Sequence, residues 1–302
     1  MSEIESVYFL VSVLSFLVAS SANIWQTGST VSSGNWYNQE LQRIQQVPPP
    51  QVTAHKIERY FLGRPARTRR DSLYDVAMNS WSPIDHLREN KGLKNEQTRS
   101  TGAGRVSKRS SFDEEFYDVA YIIDSSGSIK ESEFQNGLKA LQILVTRAKP
   151  STLYAAINYS EEGHIHFDFQ PPYKAIELLE TTKHYGFRTN TQDALKKCRE
   201  VLFLNKTSGV RGGSLKRVLV VTDGRSNLNK ETTLYEALEL KVLGIEVFVV
   251  AVGKYVNGIE ELIGIATTRE RHLFRVDSLG GFIEVVQLIP PWPPAIRSNA
   301  LD

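Results

Sequence analysis

Cysteine is almost absent from this chain of 302 residues, in which Cys198 stands alone. A single cysteine excludes any intrachain disulfide. Such a chain must stabilise itself by burying a core, and 41% hydrophobic residues over this length suffice for one sizeable domain. Cys198 shares a helical spacing with Ala194, Leu195 and Leu202, which favours a small buried hydrophobe; an intermolecular disulfide is the alternative.

A strong charge of either sign is also missing, because the formal net charge is only +2. The total therefore gives no reason to expect a nucleic-acid partner. It conceals an asymmetry, since residues 23–111 carry 14 Lys or Arg against 7 Asp or Glu. The remainder of the chain is mildly acidic.

Long apolar runs are limited to one, Val7 to Ala19, near the start of the chain. It is short for a membrane span, and Ser20-Ser21-Ala22 supplies the small residues that signal peptidase prefers. The absence of Lys and Arg before the run counts against a signal, and an N-terminal anchor is the alternative. We expect residues 1–22 to be a signal peptide, and the protein to be secreted with no membrane span after its removal.

Sustained periodicity is lacking in residues 23–111. We expect this basic segment to be largely disordered, with a short helix around 55–61. Residues 23–70 show no evident core, so we expect their removal to leave the following domain intact. Its clusters RTRR, ending at Arg70, and SKRS, with Arg109, resemble cleavage sites of subtilisin-like proprotein convertases. The alternative is that both are solvated charge runs.

Regular alternation of strands and helices begins near residue 112. YDVAYIID, KRVLVVTD and IEVFVVAVG are continuous apolar strands, and helical periodicity lies between them, as in ESEFQNGLKALQILVTRA. This pattern predicts an α/β domain over residues 112–289, a doubly wound and mostly parallel sheet with helices on both faces. The proline-rich residues 290–302 read as a C-terminal tail.

Small polar residues follow the apolar strands where a ligand site is expected. Ligands of such sheets bind beyond the carboxyl ends of the strands, where Asp124 and Asp223 end two buried strands. Thr189 precedes a helix between them, and Ser126 and Ser128 follow Asp124. These oxygen donors suit Mg²⁺, Mn²⁺ or Ca²⁺ better than zinc.

The order of these motifs, D-x-S-x-S, then RTNT before a helix, then TDGRSN after a later strand, resembles the von Willebrand factor A domain and its metal-ion-dependent adhesion site. The resemblance covers residues 116 to about 289. It implies a cation site in which hydroxyls bind the ion directly or through water, and in which one or both carboxylates contact those ligands and not the ion itself. The site residues are Asp124, Ser126, Ser128, Thr189 and Asp223.

The resemblance also implies a function in adhesion. Neutral hydroxyls leave the charge of a bound Mg²⁺ largely uncompensated, so that a carboxylate from another protein completes its shell. We therefore expect a secreted extracellular-matrix protein, similar to matrilin-like or collagen-associated A domains, that binds an extracellular partner through an exposed acidic residue. A soluble defence or complement-like factor is the alternative.

Enzyme motifs are missing from the sequence. No G-x-S-x-G elbow, G-x-x-x-x-G-K-[ST] loop or strand-G-x-G-x-x-G turn is present, and Ser126 occupies the position where a haloacid-dehalogenase phosphatase needs a second acid. We therefore expect no enzymatic activity. HIHFDF places His164, His166 and Asp168 on one strand face, where the polar side of an edge strand is favoured over a second metal site.

Two further sets of residues complete the expectations. Asn205-Lys206-Thr207 is a glycosylation sequon in a predicted loop, and Asn158-Tyr159-Ser160 is a second one that ends a strand. Arg188 and Arg225 flank Thr189 and Asp223, so we expect them on the ligand rim, where they attract acidic partners or are simply solvated.

Overall fold

The computed structural model describes residues 33–64 and 115–292. The described residues divide into two units, one that ends at Arg43 and one that begins at Ile44. The described part of the first is residues 33–43, which belong to helix α1, and Arg43 pairs there with Glu40 at 3.7 Å. The elements are α1 (Ser33–Gln45), α2 (Pro50–Lys56, continued by a π-helical turn Ile57–Phe61), β1 (Tyr117–Asp124), α3 (Glu131–Arg147), β2 (Leu153–Tyr159), β3 (Gly163–Gln170), α4 (Pro172–Glu180), α5 (Thr191–Lys197, continued by a π-helical turn Cys198–Phe203), β4 (Leu215–Thr222), α6 (Lys230–Val242), β5 (Glu246–Val252), α7 (Ile259–Ile265), α8 (Arg269–His272), β6 (Leu273–Val276) and α9 (Leu279–Leu288).

Six strands form one sheet in the order β3-β2-β1-β4-β5-β6. All neighbours are parallel except β2 and β3, which pair in antiparallel fashion. The central strand β1 is buried along its whole length, as expected for a strand covered on both faces. The predicted doubly wound, mostly parallel sheet is therefore confirmed.

Alternation along the strands divides the core into two layers. Tyr121 and Ile123 of β1 join α3, α4 and α9 on one face, whereas Ala120 and Ile122 point to the opposite face. There the buried side chains of α5, α6 and α7 pack on the sheet. Helices on both faces leave the two edges and the two ends of the strands as the places where ligands or other segments can bind.

The domain begins earlier in the chain than the sequence indicated. We predicted that residues 23–70 contribute no core, and this is wrong for residues 44–64. Helix α2 is longer than the predicted 55–61, and four buried side chains of this segment belong to the main core cluster: Ala54, Ile57, Phe61 and Leu62. The segment docks by tertiary contacts, which its short apolar pattern did not reveal.

Several expectations fall outside the described residues. They are the signal peptide 1–22, the processing sites at Arg70 and Arg109, and residues 293–302 of the tail. Within the described tail, the ring of Trp292 lies 5.1 Å from the guanidinium of Arg64. No helix in residues 33–64 or 115–292 is long and apolar enough to cross a membrane.

Candidate metal centre

Asp124 ends β1, and its carboxyl group is held in place from two sides. Oδ2 accepts a hydrogen bond from the Thr222 hydroxyl at 2.6 Å, and Oδ1 accepts one from the Ser126 amide at 2.9 Å. The side chain is only 2% exposed. Burial raises the pKa of this carboxyl to about 6, an effect that the two hydrogen bonds oppose. A buried carboxylate of this kind is stabilised by a positive charge nearby.

Two serines and the second aspartate form a continuous chain of oxygen atoms. The hydroxyls of Ser126 and Ser128 are 3.1 Å apart, and the Ser128 hydroxyl donates to Oδ1 of Asp223 at 2.9 Å. Ser126 is buried, Ser128 is exposed and Asp223 is half-buried, and burial raises the pKa of the Asp223 carboxyl. The chain thus runs from the interior to the surface at the carboxyl ends of β1 and β4.

Thr189 belongs to a third loop, which is hydrogen-bonded to the loop after β4. Its amide donates to Oδ1 of Asn227 at 2.9 Å, and its carbonyl accepts from the Ser226 hydroxyl at 3.1 Å. Thr189 is buried, and α5 begins two residues later. Main-chain and side-chain bonds therefore hold the Thr189 loop against the loop that carries Asp223.

Gly127 lets the first loop approach the third. Its amide donates to the carbonyl of Phe187 at 2.7 Å, and the Gly186 amide donates to the carbonyl of Ser125 at 2.8 Å. A Cβ atom at Gly127 would lie 2.8 Å from the carbonyl oxygen of Gly186, closer than real Cβ atoms come. Glycine is needed here because the backbone of the neighbouring loop lies so close.

The two arginines expected on the rim have different surroundings. Arg188 is exposed, and its Nε donates to Glu161 at 2.8 Å. Arg225 is also exposed, and its aliphatic chain lies against Gly258, where a Cβ atom would meet it at 2.5 Å. Arg188 is therefore partly neutralised by an acidic neighbour, whereas Arg225 lies two residues from Asp223 on the same loop.

The donor set suits a divalent cation with oxygen ligands. Hydrogen bonds join the side chains of Ser126, Ser128 and Asp223 in one chain. The Asp124 carboxyl accepts a hydrogen bond from the Ser126 amide. No group of three or more His, Cys, Asp or Glu side chains that could hold a metal is found among residues 33–64 and 115–292. The arrangement thus fits a hard cation such as Mg²⁺, with hydroxyls in the majority.

The other candidate residues remain apart from this site. β3 is one of the two edge strands, His164 and Asp168 are exposed, and Nε2 of His166 lies 2.8 Å from the carbonyl oxygen of Leu178. This agrees with the polar side of an edge strand. Cys198 is fully buried, and burial raises the pKa of its thiol, which leaves it a poor nucleophile.

Three residues that sequence reasoning did not select also build the site. Thr222 holds Asp124, and Ser226 and Asn227 hold Thr189. All three lie in the stretch from Thr222 to Asn227, which reads TDGRSN. The polar composition of that motif was a usable signal, but the pairing of each side chain with another loop was not.

The sequence matches the profile of the von Willebrand factor type A domain over residues 118–287. Among curated proteins it is 29% identical over 172 residues to integrin alpha-M of Mus musculus, covering 53% of this chain and 15% of that protein. It is 30% identical over 179 residues to the collagen alpha-5(VI) chain of Homo sapiens, covering 57% of this chain and 7% of that protein. A third relative is von Willebrand factor A domain-containing protein 1 of Mus musculus, 30% identical over 166 residues, with 53% of this chain and 39% of that protein covered.

Solved structures show the same fold. Proximal thread matrix protein 1 from the mussel byssus superposes with a TM-score of 0.50 at 22% identity, covering 59% of this chain and 48% of that one. The matched region is less than half the length of each of these relatives. The profile match spans more than half of the present chain and coincides with the β1–α9 sheet domain. This chain therefore belongs to the von Willebrand factor type A domain family.

Proposed function

We propose that this chain is a secreted adhesion protein of the extracellular matrix that binds an acidic side chain of a protein partner through a divalent cation, with Mg²⁺ preferred over Mn²⁺ or Ca²⁺. One observation carries the proposal: Ser126, Ser128 and Asp223 link their side-chain oxygens in a chain that reaches the surface beside Asp124. The proposed function requires no catalytic group.

Five side chains would hold the ion, in two roles. The hydroxyls of Ser126, Ser128 and Thr189 are the neutral ligands, acting directly or through water. Asp124 fixes the Ser126 amide, and Asp223 accepts from Ser128, so both carboxylates orient hydroxyls. When bound, the ion would supply a positive charge for which a partner's carboxylate is the natural ligand.

The balance of charge supports a role in binding an acidic partner. Two carboxylates contribute, of which Asp124 is buried below the surface and Asp223 is half-buried. Serine and threonine hydroxyls add oxygen atoms but no negative charge. Ser128 and Gly127 are exposed, so a side chain from outside can approach the rim. A site with more carboxylates would attract such a partner less strongly.

The relatives also support an adhesion function, because they include an integrin and collagen chains. The present chain covers only a small part of each relative, so secretion and binding to an acidic partner are proposals for this chain.

The experiment is a solid-phase binding assay of the purified chain on an extracellular-matrix extract, with Mg²⁺ or with chelator. Wild type should bind with Mg²⁺ and lose binding in chelator. Ser128→Ala removes an exposed hydroxyl, so the fold should survive. Loss of such a group should lower Mg²⁺ affinity by ~10–100-fold in direct titration.

Ser151→Ala provides the matched control. Ser151 is also an exposed serine, just before β2, at the opposite end of the strands from Ser128. It should bind Mg²⁺ and the matrix extract as wild type does. Equal matrix binding by all three proteins with and without chelator would refute the proposed function.

A further inference from the structure

The segment 44–64, which we call the docking segment, packs on the sheet domain through an apolar face. Ala54, Ile57 and Phe61 recur at helical spacing, and all three are buried, with Ile57 only 1% exposed. The Phe61 ring meets the Phe248 ring of β5 edge to face at 5.1 Å. Helix α2 also packs against β6 and α9. The docking segment thus covers the edge of the sheet formed by β6.

Arg275 of β6 joins the start of the docking segment to the sheet. Its guanidinium donates to the carbonyls of Ala251 at 2.7 Å and Gly253 at 2.8 Å. It also donates to the carbonyls of Gln45 at 3.0 Å and Ile44 at 3.2 Å, at the carboxyl end of α1. The last carbonyls of a helix lack intrahelical partners, and a cation is favoured there. Arg275 is only 5% exposed, so its charge is buried. The docking segment supplies two of the carbonyl acceptors for this buried guanidinium.

Arg217 of β4 repeats the arrangement at the other end of the segment. Its Nη1 donates to the carbonyl of Phe61, the last residue of the helical turn that follows α2. Its Nε donates to Glu246 at 2.8 Å, and the guanidinium lies 4.2 Å from the centre of the Tyr117 ring. Arg217 is also buried. Two buried arginines of the sheet are thus each bound to a helix end in the docking segment.

Residues in the middle of the docking segment also donate hydrogen bonds to β6. The Thr53 hydroxyl donates to the carbonyl of Arg275 at 3.2 Å, and the Lys56 amine donates to the carbonyl of Leu273 at 2.5 Å. Both acceptors are main-chain groups of β6. An edge strand exposes such groups unless another element covers them, and here the docking segment covers them.

The docking segment ends where the described chain resumes. A Cβ atom at Gly63 would lie 2.5 Å from the hydroxyl of Tyr117, and Arg64 donates to the carbonyl of Arg147. Tyr117 begins β1 and Arg147 ends α3, so both belong to the end of the sheet opposite the metal centre. The chain therefore leaves and re-enters the folded domain at the same end.

We propose that residues 44–64 are a resident, non-covalently held element of the domain, so that proteolysis between Arg64 and Glu115 yields a two-chain protein and not a released propeptide. The reaction is hydrolysis by a subtilisin-like convertase: water adds across one peptide bond and leaves a carboxylate on one product and an amine on the other. This replaces our expectation that removal of residues 23–70 would leave the domain intact. The contacts of Arg275, Arg217 and the apolar face do not depend on the bond that is cut.

A cleavable full chain tests the proposal. The recognition sequence of a site-specific protease is inserted after Gly92, and the folded protein is cut and passed through a gel-filtration column in native buffer. The N-terminal fragment should elute together with the C-terminal fragment in equimolar amount and separate from it only in denaturant. Separation in native buffer would overturn the proposal.

Two variants of the cleavable chain show whether the described contacts hold the fragment. Ile57→Asp places a charge in the apolar face and should release the fragment after cleavage. Gln51→Asp changes an exposed residue of the same helix and should leave it bound. Retention by Ile57→Asp as complete as by Gln51→Asp would contradict the docking surface described above.

Hydrogen exchange on the uncut wild-type chain gives an answer that depends on neither cleavage nor substitution. Amides of residues 54–62 should exchange as slowly as those of β6, because a resident element opens only with the domain. Complete exchange of these amides while β6 remains protected would overturn the proposal.

Discussion

Gln45 binds both main-chain polar groups of Val256: its Nε2 donates to the carbonyl at 2.8 Å, and its Oε1 accepts from the amide at 2.9 Å. The next residue, Asn257, accepts a hydrogen bond from the Arg225 amide at 3.1 Å and pairs with Gly224 in an isolated bridge. Gly224 follows Asp223 directly. A single glutamine thus connects the docking segment, through one loop, to the loop of the candidate metal centre.

Gln45→Ala should lower the free energy of unfolding by about 1–3 kcal/mol, because two hydrogen bonds are lost and the Val256 groups lose their partner. It should also weaken Mg²⁺ binding, because the loop beside Gly224 loses a support. Denaturant unfolding and Mg²⁺ titration measure the two effects. Gln135→Ala is the control, because Gln135 is exposed on α3 and its side chain donates to Glu131 of its own helix. Equal unfolding free energies for the two variants would contradict this role of Gln45.

Gly127→Ala should lower the free energy of unfolding by about 1–3 kcal/mol, because the new methyl group overlaps the carbonyl oxygen of Gly186. Separation of the two loops should also reduce Mg²⁺ affinity. Gly212→Ala is the matched change, since its backbone does not have a positive φ and no described atom lies within 4 Å of the new Cβ. It should leave both quantities near the wild-type values. Equal unfolding free energies and equal Mg²⁺ affinities for the two alanine variants would show that the close contact between the loops affects neither quantity.

Neutralising the rim arginines should weaken binding to an acidic partner only mildly. Arg225→Gln should reduce affinity by about 1 kcal/mol or less, roughly fivefold, as expected for exposed charges. Arg188→Gln should have a smaller effect, because Arg188 already pairs with Glu161. Affinities at low and high salt measure both effects, and the salt dependence should fall in the Arg225 variant. Unchanged affinity and salt dependence in both variants would show that the two arginines are simply solvated.

Stability should rise between pH 8 and 10 because of Lys56. Burial lowers the pKa of its amine from 10.5 to about 8 in the folded protein. Between these values the unfolded chain binds more protons than the folded one, so the free energy of unfolding increases with pH; below pH 8 both states are protonated and the slope vanishes. Because Lys56 is only half-buried by surface area, we expect the rise to be about 1–2 kcal/mol.

Lys56→Met should remove this rise, and the difference between the two proteins cancels the other titrating groups. Denaturant unfolding at pH 7, 8, 9 and 10 measures it. A pH-independent difference between wild type and Lys56→Met would show that the amine titrates normally.

Secreted protein should carry its N-linked glycan at Asn205. This residue is exposed, and its side chain accepts hydrogen bonds from the Thr207 amide at 3.0 Å and hydroxyl at 2.8 Å, so the sequon is ordered at the surface. Asn158 is 2% exposed within β2 and donates to the carbonyl of Lys183. Glycosidase treatment should reduce the mass of wild type but not that of Asn205→Gln. A mass reduction that persists in Asn205→Gln and disappears in Asn158→Gln would be the contrary result.

Local sequence was sufficient for the sheet and for the rim on which Asp124 and Asp223 lie. Strands buried on both faces need continuous apolar runs, so YDVAYIID and KRVLVVTD were recognisable without tertiary information. The carboxyl ends of parallel strands lie on one rim of the sheet, which predicted that Asp124 and Asp223 lie on the same rim. Asp124 indeed contacts Thr222, the residue before Asp223, although 98 positions separate the two in sequence. The serines followed from their position in the chain.

Tertiary structure alone decided how the loops and the docking segment are held. The need for glycine at position 127 depends on the carbonyl of Gly186, and the support of Thr189 depends on Asn227 and Ser226. The docking segment has too few apolar residues to be recognised as a core element from the sequence. Its partners include Phe248 and two arginines, all more than 150 residues away in the chain, so its local sequence does not reveal them. Periodicity reports which face of a segment is apolar. What that face meets, and which buried cation binds the end of its helix, is determined only when distant parts of the chain come into contact.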